Sequence, residues 1–472
     1  MNQYPFYIAG KETTNKKLIE ARSVYSDEIF AHYSLAESKD IDDALAQGHA
    51  AKKIMQQLKA HQKRQILEEC RDLFRKNSED LAEIITLESG KTINEARAEM
   101  QRVISVFDYA SIEVMQMNGT VLSMDTHPSS EDFECLIKRF PKGLCSFITP
   151  FNFPINLIAH KVAPAIAAGC PFIIKPSDKT PICALKFAEI LQQSSLPKEA
   201  FSVVPCTIED SLKLVTDPRA NFLSFTGSEQ VGWKLKTLAE RKSVCLELGG
   251  TASCVVYPDT DLELAAKEIV NAAFAQAGQS CISLQKLYIH EDIIDKLSSL
   301  LVELTSKIKL GNPLDPSTDL GPIINKDSLS RITKLVDHSI STGAKILVGG
   351  TTQGKFFEAT ILTNIKSDDP IRDEEVFAPI FIIDTFSNTD ELFKQLNQSC
   401  YGIHVGIYSK DINIATKAWD ELEYTAIIIG HTPSWRSDKM PYGGIKNSGC
   451  GREGISYAIE EMTELKSLII KK

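Results

Sequence analysis

The sequence predicts an α/β protein made of two stacked α/β domains and a short β arm. Three observations point there. Short β-rich runs alternate with amphipathic stretches from about Leu144, the alternation resumes as a second series after Gly250, and a polar stretch from Gly119 to Lys142 separates the first series from a helical opening. Such alternation implies parallel sheets with crossover helices. At 472 residues the chain is also long for one core, because domains run roughly 100–200 residues.

Taken in order, Met1 to Lys11 has the polar and aromatic look of a first strand and lacks the basic-then-apolar pattern of a secretory signal. Ile41 to Met117 reads as consecutive helices, since Ile66, Leu67, Cys70, Leu73 and Phe74 recur at helical spacing with charges between them. Gly119 to Lys142, interrupted by Pro128, Ser129 and Ser130, reads as a hairpin arm. The first series of strands is Cys145–Thr149, Pro171–Ile174, Phe201–Val204 and Phe222–Phe225. The apolar stretch Ile155 to Ile174 is broken by His160, Lys161, Pro164 and Pro171, which favours a buried helix followed by a strand over a membrane span. The second series comprises Cys254–Tyr257, Lys286–His290, a helix over Ile293–Leu310, then Ala378–Phe386 and Ala426–Ile429, and Leu465 to Lys472 forms an edge strand. The expected boundaries are 1–118 with 143–249 for one domain, 250–452 for the other, and 119–142 with 453–472 for the arm.

Apolar residues at 43% and charged residues at 24% give an ordinary globular balance. A formal net charge of -10 argues against nucleic acid or an anionic membrane as partner, because the average surface repels both. Eleven cysteines without a CxxC pair, and nine histidines without zinc-ligand spacing, signal no metal site and no disulfide framework. A reducing compartment, the cytoplasm, is expected.

Gly278-Gln-Ser-Cys281 lies between a helix-like and a strand-like run, which places Cys281 on a turn where a thiol can meet a ligand. A lone cysteine is more often packing. Leu246-Glu-Leu-Gly-Gly250 puts Glu247 in an apolar strand before two glycines, and burial there would raise its pKa toward that of a general base. Thr149-Pro-Phe-Asn-Phe-Pro154 fixes Asn152 between two prolines, so its amide is preorganised as a donor to an oxyanion, although asparagine is also a common turn residue. Ile174-Lys-Pro-Ser-Asp178 ends a strand with a cation and a carboxylate suited to ribose or phosphate, or to a surface ion pair. Phe225-Thr-Gly-Ser-Glu-Gln-Val-Gly232 ends a strand and opens a helix, a weak phosphate signal that is neither GxGxxG nor a P-loop.

In this order, and together with Glu374-Glu-Val-Phe-Ala-Pro379 and Pro441-Tyr-Gly-Gly-Ile-Lys-Asn-Ser-Gly-Cys-Gly-Arg-Glu453, these segments resemble the aldehyde dehydrogenase superfamily over nearly the whole chain. The resemblance implies two stacked Rossmann-like domains, a β oligomerisation arm, and NAD(P)-dependent oxidation of an aldehyde to its acid. It makes Cys281 the nucleophile, Glu247 the base that activates water, and Asn152 an oxyanion donor beside the Cys281 backbone N–H, with a thioester left after hydride loss. Glu453 matches a residue often placed in a proton relay. Thr149 and Phe151 fall in the segment lining the cofactor site, Lys175, Ser177 and Asp178 match the adenosine-ribose segment, Gly227 and Ser228 the pyrophosphate turn, and Glu375 with Phe377 the nicotinamide ribose. A homodimer or homotetramer would follow from exchange of arms.

Phe151 stands where the family commonly has tryptophan and Thr251 where it has a longer polar residue. Asp178, one methylene shorter than the usual glutamate, leaves the choice between NAD and NADP open. The branch resembled includes enzymes for lactaldehyde, succinate semialdehyde, glyceraldehyde 3-phosphate and phosphonoacetaldehyde, so a small polar or anionic aldehyde is expected. Arg102, His160, Ser280 and Tyr442 are the candidate substrate residues. Arg102 and His160 are equally well read as surface or core residues, and Ser280 stands where phosphate-handling relatives place arginine. Two other readings compete: acyl transfer to coenzyme A, disfavoured by the presence of Glu247, and a non-catalytic protein retaining the fold, disfavoured by the intact Cys281, Glu247 and Asn152.

Overall fold

The computed structural model describes residues 2–472. Its first sheet has eight strands in the order Gly449–Cys450, Ser243–Glu247, Phe222–Thr226, Cys145–Ile148, Phe172–Lys175, Phe201–Val203, Phe6–Ile8 and Lys11–Thr13. The five central strands are parallel, and the additions at either end are antiparallel. Cys145–Ile148 and Phe172–Lys175 are buried at every position, as a parallel sheet covered by helices on both faces requires. One covering helix, Asn156–Ala168, is buried along its whole length, which explains the unbroken apolar character of that stretch apart from His160 and Lys161.

The second sheet has seven strands in the order Lys345–Val348, Thr360–Thr363, Ile380–Phe386, Leu284–His290, Ala252–Val256, His404–Tyr408 and Ala426–Ile429. Only Lys345–Val348 runs antiparallel to its neighbour. Thr120–Ser123, Phe133–Pro141 and Thr463–Lys471 form a separate antiparallel sheet. That sheet leaves Val121, Leu122, Leu465, Leu468, Ile469 and Ile470 exposed. Among the described residues no helix is long and apolar enough to cross a membrane.

Three elements differ from the sequence-based expectation. The strand expected over Met1–Lys11 includes Met1, which lies outside the described residues, and the remainder divides at Pro5. Asn2–Tyr4 pairs with Ile29–Ser34 in a further small sheet, and Phe6–Ile8 joins the first sheet. Proline has no N–H to continue a ladder, so the chain changes sheets there. At the other end, residues 453–462 do not belong to the arm: Ile455, Ile459 and Met462 pack into the same core as Phe107 and Ile166. Gly449–Cys450, expected in the second domain, is an edge strand of the first sheet. The apolar face of the short helix Ile455–Glu461 needs a core to cover it, and the first domain supplies one.

Candidate functional site

A cavity of about 780 Å³ opens between the two sheets. Its thiol is delivered by a strained turn. After helix Leu262–Phe274 the chain passes through three left-handed residues, Gln276 (φ 55°), Ala277 (φ 52°) and Gly278 (φ 67°). A Cβ on Gly278 would stand 1.9 Å from the Ala378 carbonyl oxygen, so glycine is required. Left-handed non-glycine residues persist where surrounding contacts hold them. Here the Gln276 N–H donates to Glu95 Oε1 at 2.5 Å and the Gln276 side chain donates to the Asn152 carbonyl. The turn leaves Cys281 half-buried in the cavity, with its Sγ 2.8 Å from Tyr442 Oη. Burial pushes the Cys281 thiol up to about 12, with the Tyr442 hydroxyl opposing this, Glu375 and Glu247 adding to it, and Arg436 opposing it.

Glu247 ends the strand Ser243–Glu247 and is 4% exposed. Its Oε1 has no hydrogen-bond partner and faces Gly443, where a Cβ would lie 3.0 Å from that oxygen. Burial, then the charge of Glu453, raise the Glu247 carboxyl well above its usual range. Glu453 is poised the other way. Burial acts to raise it, but Lys161, His160 and Arg436 outweigh burial and hold it below its usual value. Lys161 Nζ donates to Glu453 Oε1 at 2.7 Å, and also to Ser224 Oγ at 2.7 Å and Thr226 Oγ1 at 2.8 Å. Two buried carboxyls with opposed environments can divide the keeping and releasing of a proton. Asn152 Nδ2 donates to the Gln279 carbonyl at 3.1 Å, which fastens the amide to the turn that carries Cys281.

The opposite wall suits a dinucleotide. Gly227 and Ser228 lead into helix Glu229–Leu238, and Ser228 makes no side-chain cap, so the first-turn N–H groups remain open to an anion. Gly249 leaves no room for a Cβ, which would lie 2.6 Å from Glu375 Oε2. Glu375 Oε1 accepts from the Gly250 N–H at 3.1 Å, and burial lifts this carboxyl to about 7. Phe377, left-handed at φ 52°, turns its ring edge-on to Phe151 with centroids 6.1 Å apart.

The cavity thus gathers Arg102, Phe151, Asn152, Gly227, Ser228, Glu247, Ser280, Cys281, Glu375, Phe377, Tyr442 and Glu453 from the residues singled out by sequence. Thr149, Lys175, Ser177, Asp178 and His160 are not among its lining. Asp178 is paired with Lys179 at 3.0 Å and faces a separate groove of about 710 Å³, while the Ser177 hydroxyl accepts from the Lys179 N–H at 3.2 Å. Arg102 and His160, expected to touch substrate, give their polar atoms to Asp438 instead. Arg102 Nη2 and His160 Nε2 lie 2.6 and 2.9 Å from Asp438 Oδ1. A carboxylate buried beneath the helix Asn156–Ala168 needs both partners, and it consumes the charge that an anionic substrate would have met.

Sequence reasoning missed Arg436, Lys161 and Asp438. Lys161 left a signal, a lysine inside an apolar helix, that was used only against a membrane span. Arg436 left a weaker one, a cation in the irregular stretch just before the Met440-Pro-Tyr segment. Its guanidinium lies 3.6 Å from the Tyr442 ring centroid and lines the cavity, with Nε and Nη2 buried and without hydrogen-bond partners.

Two layered α/β domains bring an uncapped helix N-terminus, a thiol and a buried carboxyl around one cavity, an arrangement that suits a dinucleotide-dependent enzyme. The family model described as the aldehyde dehydrogenase family matches residues 11–468. The chain belongs to that family and is an aldehyde-oxidising enzyme. It is 36% identical over 471 residues to a 3-sulfolactaldehyde dehydrogenase of Priestia aryabhattai, covering 100% of this chain and 98% of the relative. It is 35% identical to a lactaldehyde dehydrogenase of Methanococcus aeolicus, covering 98% and 99% of the two chains. Aldehyde dehydrogenase 21 of Physcomitrella patens, solved with the reaction product succinate, superimposes with a TM-score of 0.98 at 37% identity, covering 100% of this chain and 98% of that one. A glyceraldehyde-3-phosphate dehydrogenase of Methanocaldococcus jannaschii, solved with NADP, gives a TM-score of 0.91 at 34% identity over 96% and 100% of the two chains.

Proposed function

We propose that the enzyme oxidises a small aldehyde carrying an anionic group at its far end, through a thioester on Cys281. Arg436 carries the anionic half of this reading. Lys91 in the same cavity is paired with buried Glu99, Arg102 is paired with Asp438, and Arg331 donates to the Val376 carbonyl at 2.5 Å. Arg436 keeps two buried donors unpaired. Buried donors left unpaired are costly until an acceptor meets them, and a carboxylate or sulfonate offers two acceptors to a guanidinium fork. Relatives that bear names with sulfonated, phosphorylated and succinate-forming chemistry agree with such a substrate. Ser280, short and neutral, favours a carboxylate or sulfonate over a phosphate.

The chemistry follows from the residues. The Cys281 thiolate attacks the aldehyde carbon, and Asn152 Nδ2 with the Cys281 backbone N–H receives the oxyanion. The nicotinamide, when bound, accepts the hydrogen and two electrons lost from that carbon. Glu247 then takes a proton from water, which attacks the thioester and frees the acid. Glu453, held ionised by Lys161, is placed to pass that proton onward.

Residues 1–118 with 143–249 and 449–462 are assigned the cofactor, residues 250–448 the catalytic thiol, and the exposed apolar arm the contact between copies in a homodimer or homotetramer. Asp178, turned onto Lys179, leaves the ribose 2′ position open to NADP beside Lys175. The cytoplasm is the location proposed with this reading.

The test is formation of reduced nicotinamide, with NAD and with NADP, across succinate semialdehyde, sulfolactaldehyde, lactaldehyde, glycolaldehyde, glyceraldehyde 3-phosphate and a plain aliphatic aldehyde. Higher kcat/KM for the carboxylated and sulfonated aldehydes is expected. Equal values for the aliphatic aldehyde would remove Arg436 from substrate binding.

A further inference from the structure

The contact between Tyr442 and Cys281 is not needed by the chemistry above, yet four features hold it in place. The Tyr442 N–H donates to the Glu453 carbonyl at 2.9 Å and the Glu453 N–H donates back at 2.7 Å, a two-way bridge that fixes the Tyr442 backbone. The ring is fixed as well. Arg436 covers one face with its guanidinium carbon 3.6 Å from the centroid, and the buried His404 ring meets it edge-on at 5.4 Å and 82°. His404 is itself held, with Nδ1 2.8 Å from the Pro433 carbonyl. The phenol therefore has little choice of direction, and it points at Cys281 Sγ, 2.8 Å away.

We infer that the Tyr442 hydroxyl is a catalytic hydrogen-bond donor to the Cys281 thiolate, selecting and stabilising the charged form of the nucleophile before substrate arrives. This rests on the reading of Cys281 as nucleophile. The groups facing the sulfur are Tyr442, Arg436, Glu375 and Glu247. The two carboxyls oppose a thiolate, so the cavity needs a donor to counter them. Arg436 stacks on the ring and does not hydrogen-bond the sulfur, and a cation over a phenol face draws electron density from the ring and strengthens its O–H as a donor. Burial keeps the phenol protonated, well above its ordinary pKa, so Tyr442 donates a hydrogen bond without giving up its proton. The thiol proton leaves to solvent or to Glu247. As the S–C bond forms, the sulfur loses its charge and the hydrogen bond weakens, so the tyrosine favours the free nucleophile over the adduct.

The test is Tyr442→Phe, which keeps the ring between Arg436 and His404 and deletes the hydroxyl. Alkylation of Cys281 by iodoacetamide is followed against pH by peptide mass spectrometry, which separates it from exposed Cys400 and half-buried Cys450. A hydrogen bond to a charged group is expected to shift the alkylation pKa upward by about one unit or more, so that the rate at neutral pH falls about tenfold. Thermal unfolding reports whether the variant folds, and Tyr442→Trp, which overfills the same space, serves as the packing control. An unchanged alkylation pKa in a folded Tyr442→Phe protein, with Cys281→Ala inactive, overturns this inference alone. A Cys281→Ala variant that still oxidises aldehydes overturns the nucleophile reading beneath it.

Discussion

Replacing Arg436 by methionine removes the guanidinium and leaves an uncharged thioether chain to cover the Tyr442 face. The two unpaired donors, Nε and Nη2, would each make a charge-assisted bond to the substrate anion, worth about 1.5–3 kcal/mol apiece in favourable settings. The residue is half-buried, so water competes and the combined loss is taken as about 2–4 kcal/mol. At about 1.36 kcal/mol per tenfold this is a fall of roughly 30- to 900-fold in kcat/KM for an anionic aldehyde. A neutral aldehyde of the same length loses far less. It feels Arg436 only indirectly, through the Tyr442 ring and the thiol. The quantity to measure is therefore the ratio of kcat/KM for succinate semialdehyde to that for butanal, from initial rates at saturating cofactor. A ratio within about threefold of the parent enzyme would refute the reasoning, even if both rates dropped. Arg436→Lys should fall between, because an ammonium keeps the charge and loses the fork.

Cys281→Ala should abolish oxidation and leave nicotinamide binding, followed by fluorescence titration, intact; turnover in that variant would sink the mechanism. Glu247→Gln should give a burst of reduced cofactor followed by a slow steady state, and the parent's deacylation rate should rise with pH as the raised Glu247 carboxyl ionises; a flat profile would remove it from the base role. Asp438→Asn should lower the thermal midpoint by a few degrees at neutral pH, since it removes the charge that Arg102 pairs with and that His160 hydrogen-bonds. His160 and Arg102 outweigh burial and hold the Asp438 carboxyl below its usual range. Its stabilising contribution is therefore complete above the unfolded carboxylate value of about 3.9 and is lost as pH falls toward the folded value. The gap between the two proteins should close under acid, and a gap that widens there would reverse the sign. Leu468→Glu together with Ile470→Glu charges one face of the exposed arm strand and should lower the sedimenting mass; unchanged sedimentation would take the arm out of the assembly.

How far the sequence carried depends on how local each signal is. Cys145–Ile148 and Phe172–Lys175 were legible because strands buried on both faces are continuous apolar runs, and Glu247-Leu-Gly-Gly250 stood out because an acid at the end of an apolar strand is followed within three residues by two glycines. The division at Pro5 was local too and was overlooked. The fate of Arg102 and His160 was not legible at all. Their partner Asp438 lies 336 and 278 residues away, and no window of sequence holds both ends of such a pair. Lys161 meets Glu453 across 292 residues, so the opposed states of Glu453 and Glu247 exist only in the folded chain. Arg436 stood out once its neighbours could be seen to offer it nothing.

The segment from Pro441 to Glu453 has a further consequence. It runs across both domains: Gly449–Cys450 zips onto the strand that ends in Glu247, Gly449 approaching so closely that a Cβ would sit 2.0 Å from the Leu246 carbonyl oxygen, and the Tyr442–Glu453 bridge closes over the thiol. A polypeptide still being made, or one cut short before Pro441, already carries Cys281, Glu247 and Asn152 but lacks Tyr442, Glu453 and the edge strand paired with the Glu247 strand. On the reading proposed above, the groups that act on the sulfur therefore assemble last, when the chain is all but finished.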